Sequence, residues 1–109
     1  MRGSLHRLAE ERSIAFHRAV AQRLREDPSL LQGARERIVA WKASGTLAEP
    51  YALAWTKLLE GSLESLLAFL VDEGEEARTL RQVTPFAGVI DPRARWQIWR
   101  EVRAAWEAQ

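Results

Sequence analysis

The chain has no cysteine at any of its 109 positions. Disulfide frameworks, thiolate nucleophiles and cysteine-ligated zinc are excluded together. Its longest apolar run, Leu66 to Val71, falls far short of the roughly 20 residues a membrane helix needs. The opening Met1-Arg2-Gly3-Ser4-Leu5-His6-Arg7 lacks the apolar stretch of a secretory signal, so the expected compartment is cytoplasmic. Glycine and proline are sparse, six and four, and act as punctuation between long stretches that have neither. No phosphate-cradling glycine loop, nucleophile elbow or serine–lysine motif is present. Gly88-Val89-Ile90 is too short to be a strand and runs directly into Asp91-Pro92.

What remains is helical. A 47% hydrophobic and 28% charged composition belongs to one folded domain, spanning 1–109. Phe16, Val20 and Leu24 recur every fourth residue within Leu5 to Glu26, beside Leu8, Ala15 and Ala19. Asp27-Pro28 starts a second helix, with Leu31, Ala34, Ile38 and Trp41 inward and Gly45 as a left-handed cap. Pro50 opens a third, whose apolar face is Tyr51, Ala54, Trp55, Leu58 and Leu59 up to Gly61. Ser62 caps a fourth with Leu63, Leu66, Leu67 and Leu70 inward, and Ala77 to Val83 forms a short fifth. Thr84-Pro85-Phe86-Ala87-Gly88 is a loop, and Asp91-Pro92 starts a last helix to about Glu107. The expected fold class is all-α, an irregular bundle of five to six helices.

The two histidines, His6 and His17, lie about 16 Å apart along one helix and cannot share an ion. Neither has a partner at metal-ligand spacing, so no metal and no cofactor are expected, and His17 reads as a partly buried or surface histidine. Glu60 and Glu64 have the spacing of a paired site, but Gly61-Ser62 interrupts the helix between them. Asp72 to Glu76 lacks the ligand alternation of a calcium loop. A helix-turn-helix reading fails on the second helix, Tyr51 to Leu59, where Lys57 is the only basic side chain. No catalytic residue is assigned, and the chain is not expected to be an enzyme.

Charge and tryptophan are unevenly spread. Residues 1–44 carry nine Lys/Arg against five Asp/Glu, residues 45–77 one against seven, and residues 78–109 six against three. The net charge is +1, so nucleic acid is not the expected partner. Three of the five tryptophans, Trp96, Trp99 and Trp106, fall in the last helix among Arg93, Arg95, Arg100 and Arg103. With Val102 they cover a broad face: it packs in the core, meets a protein partner, for which Trp and Arg are the enriched contact residues, or stacks on single-stranded bases. Self-association through that face is the homodimer alternative. Phe86 is likewise either a plug for the core or an anchor.

Leu80-Arg81-Gln82-Val83-Thr84-Pro85-Phe86-Ala87-Gly88, followed by Pro92, Arg95 and Trp96, is similar to a stretch of a known group. So is the upstream Ala54-Trp55 with Leu58-Leu59 and Glu64, ending at Leu70-Val71-Asp72. Together, over about residues 18–100, the chain resembles small helical bacterial proteins encoded beside toxins, including antitoxins paired with nucleotidyltransferase-like toxins. The resemblance implies an antitoxin that neutralises a cognate toxin by direct binding. The partner-facing residues expected from the residues and the resemblance together are Arg81, Phe86, Arg95, Trp96, Trp99, Arg100, Arg103 and Trp106. A small nucleic-acid-associated regulatory protein and a homo-oligomeric structural protein are the alternatives.

Overall fold

The computed structural model describes residues 5–109; the expectation of no signal at Met1 to Ser4 lies outside the described residues. Six α-helices follow one another: α1 (Leu5–Glu26), α2 (Leu31–Ser44), α3 (Glu49–Glu60), α4 (Leu63–Leu70), α5 (Glu75–Arg81) and α6 (Pro92–Glu107). A single 3₁₀ turn, Pro28–Leu30, leads into α2, and no strand occurs among the described residues. None of these helices is long and apolar enough to cross a membrane.

Local chemistry sets the boundaries. Asp27 accepts from the Ser29 amide, Ser62 from that of Ser65 and Asp91 from that of Ala94, each satisfying a backbone donor that the first helical turn leaves open. Gly45 ends α2 at φ 74°, in the left-handed region that costs glycine nothing. The fifth helix begins at Glu75, two residues before the expected start at Ala77. Its acidic first turn, Glu75 and Glu76, favours the positive end of the helix dipole.

One apolar cluster joins the elements. Phe16, Val20 and Leu24 of α1 meet Ala34 and Ile38 of α2, Trp55 and Leu59 of α3, Leu66, Leu67 and Leu70 of α4, and Leu80 of α5. Trp55 lies at its centre with no exposed surface, and packs edge-on to Phe69 (centroids 6.3 Å apart) and Phe86 (5.8 Å). On α3 the inward residue of the first turn is Ala52, whereas Tyr51, expected on the apolar face, is turned outward. The small Ala52 lets the backbone come close, and the phenol reaches water.

The helices pair unequally. Besides α6, α1 also touches α4 and α5, while α2 packs on α3. The last helix lies chiefly along α1, and only Ala94 and Ile98 of it touch the main cluster, both partly buried. The outer face of α6 is therefore left to solvent.

Candidate functional site

The loop between α5 and α6 is held from three helices. His17 of α1 approaches the Ser13 carbonyl through Nδ1 (2.7 Å) and the Thr84 hydroxyl through Nε2 (2.9 Å). A carbonyl can only accept, so Nδ1 carries the proton; Nε2 is then the acceptor and Thr84 Oγ1–H the donor. The Thr84 oxygen in turn accepts from the Phe86 amide at 3.1 Å. Arg37 of α2 donates to the Pro85 carbonyl, and Arg95 of α6 to that of Ala87. The clamp seats Phe86 in the core with no exposed surface.

His17 is itself buried, and burial pushes its pKa down to about 4. The hydrogen bond to Ser13 opposes that shift and the charge of Arg81 adds to it. Both ring nitrogens are occupied, which makes it a structural histidine, more deeply buried than its sequence position suggested. Among the described residues no group of three or more His, Asp or Glu could hold a metal ion.

The eight residues expected to face a partner divide into two sets. Trp96 is 60% exposed and Trp99 37%, with Arg100 and Arg103 exposed on the same helix. Together with Arg12 of α1 they line a shallow groove of about 340 Å³. Arg12 lies over the Trp99 ring, 6.0 Å from its centroid, and Arg103 Nε lies 3.3 Å from a Glu107 carboxylate oxygen.

Burial corrects the expectation for three others. Phe86 is a core plug. Trp106 is 7% exposed, outside the main cluster, and borders the α1–α6 seam near Ile14 and Ala15. Arg81 is 3% exposed and serves the interior. Its Nη1 donates to the carbonyls of Leu70 (3.3 Å) and Asp72 (2.6 Å), which the end of α4 leaves without helical partners. Burial lowers its pKa, and Asp72 partly offsets this. Arg95, half-buried, lies between the sets, with its guanidinium 5.6 Å from the Phe16 ring centroid.

Sequence reasoning did not single out Arg12, although a signal was present. Arg12 stands one turn before Phe16 on the 16–20–24 stripe, so a cation continues an otherwise apolar row. It stands where α1, α6 and the loop converge, beside Phe16, His17, Arg81, Arg95 and Trp99. No protein-family model, curated protein or solved structure matches the chain.

Proposed function

We propose that this chain is a non-enzymatic protein-binding module that docks the outer face of α6 on an acidic surface of another protein. The observation that carries the reading is the exposure of Trp96 and Trp99 on one helix beside Arg100 and Arg103. A tryptophan left 60% in water loses burial that a partner can supply, and the flanking guanidiniums favour carboxylates over a second basic surface. Trp and Arg are also the residues that most often carry interface energy. Following the resemblance over residues 18–100, we assign the module an antitoxin's role: the acidic surface belongs to a cognate toxin, neutralised by direct contact.

The test has two parts. The tagged wild-type chain and a Trp96→Ala/Arg103→Glu variant are used as bait in the native host, in parallel with and without nuclease, and the retained protein is then produced alone and together with the chain. The reading expects one stoichiometric protein that is lost from the variant, inhibits growth alone and is harmless when co-produced. Retention by both baits removes α6 as the contact. Recovery of nucleic acid alone, or of a second copy of the chain alone, overturns the reading in favour of the corresponding alternative. A partner that is not toxic leaves the binding module and removes the antitoxin role.

A further inference from the structure

Next to the groove on α6, and sharing Arg12 and Trp99 with it, lies a cavity of about 320 Å³ between α1, α6 and the end of α5. Three guanidiniums line it, those of Arg12, Arg81 and Arg95, and none of its lining residues is acidic. The Nε atom of each is buried and has no hydrogen-bond partner. Arg81 is rigidly placed, only 3% exposed with Nη1 fixed on two carbonyls. Arg12 makes no hydrogen bond or ion pair among the described residues, only the contact with the Trp99 ring. Asp72, Glu10 and Glu73 act on Arg81 from outside the cavity lining, and Glu10 is engaged by Arg78 at 3.2 Å. The aromatic walls are Phe16 and Trp99, uncharged Ser13 and Thr84 complete the polar lining, and His17 contributes no charge in its neutral form.

Buried or partly buried cations with no carboxylate in direct contact are costly, and three lining one space favour an anion with more than one charge. Guanidinium forks match the tetrahedral oxygens of a phosphoryl group, which carries close to two charges at neutral pH. The aromatic walls suit a planar body. We propose that this cavity is a binding site for a small phosphate ester with a planar apolar body, its phosphoryl group held by Arg12, Arg81 and Arg95 and its body against Phe16 and Trp99. The site shares Arg12 and Trp99 with the proposed docking groove, but its test requires only the isolated chain and so fails or succeeds apart from the protein-binding reading.

The test is a titration of the full chain with phenyl phosphate at low ionic strength, read by tryptophan fluorescence and by thermal melting. Inorganic phosphate and benzoate serve as controls for headgroup and charge. Saturable binding that raises Tm is expected, with benzoate and inorganic phosphate each weaker by at least about tenfold. Arg12→Gln should weaken phenyl phosphate by about tenfold or more without lowering the Tm of the free chain, and Arg12→Lys should recover part of the loss. The absence of saturation by about 10 mM overturns the site, since that is weaker than any three-arginine contact should give. Equal affinity in Arg12→Gln and wild type also overturns it. Benzoate binding as tightly as phenyl phosphate removes the dianion assignment, and inorganic phosphate doing so removes the planar body.

Discussion

His17 Nε2 and Thr84 Oγ1 meet at 2.9 Å across 67 residues of chain, and this contact ties the first helix to the loop that carries Phe86. Arg37 and Arg95 hold the same loop at the Pro85 and Ala87 carbonyls, so the histidine contact is one of three that fix it. Thr84→Val keeps the shape, removes the hydroxyl and leaves Nε2 buried with no donor. It is expected to cost about 1–3 kcal/mol in urea unfolding, whereas a surface Thr→Val change is near neutral.

The same histidine makes stability depend on pH. Its folded pKa is about 4, below the ordinary value of 6.5, so the folded state resists the proton that the unfolded chain accepts. The His17 contribution is complete above the unfolded value and is lost as pH falls from there towards about 4. Between about pH 7 and about pH 5 the loss should be roughly 2 kcal/mol. Urea midpoints at the two pH values measure it, and the difference should shrink sharply in His17→Gln. An equal pH dependence in that variant assigns the effect to other groups.

Phe86 carries the largest single stability prediction. It is fully buried against Trp55, and its removal opens a cavity that the clamped loop cannot close. Phe86→Ala should cost about 3–5 kcal/mol and broaden the unfolding transition. A loss under about 1 kcal/mol would mean that the loop opens freely and that Phe86 is available as an anchor after all.

The helix ends and most of the core were legible in the sequence because each rests on local chemistry. Asp27, Ser62 and Asp91 cap where their side chains can reach an open amide, and Gly45 sits where the backbone turns left-handed. The 16–20–24 stripe announced its burial by spacing alone. The candidate sites were less legible because they depend on juxtaposition. Nothing local distinguishes Trp106 in the α1–α6 seam from Trp99 at the rim, or reveals that Arg81 reaches back to the end of α4. The cavity required Arg12, Arg81 and Arg95 to converge from three elements, and an arginine one turn before Phe16 reads by itself as a solvated charge.

The three tryptophans of α6 give the sharpest contrast between folding and binding. Trp96 is 60% exposed and Trp106 only 7%, although both lie on one helix ten residues apart. Trp96→Ala removes little buried surface, and alanine is the better helix former, so stability should change by no more than about 0.5 kcal/mol. Trp106→Ala empties the seam between α1 and α6 and should cost about 3 kcal/mol. For partner binding the order reverses: Trp96→Ala should weaken it by about 2 kcal/mol or more, and a Trp106 variant that still folds should bind nearly as wild type. Thermal melts of both variants, run beside partner titrations, separate the roles. If Trp96→Ala left the partner's affinity unchanged, the exposed face of α6 would not be the contact, whatever the chain binds.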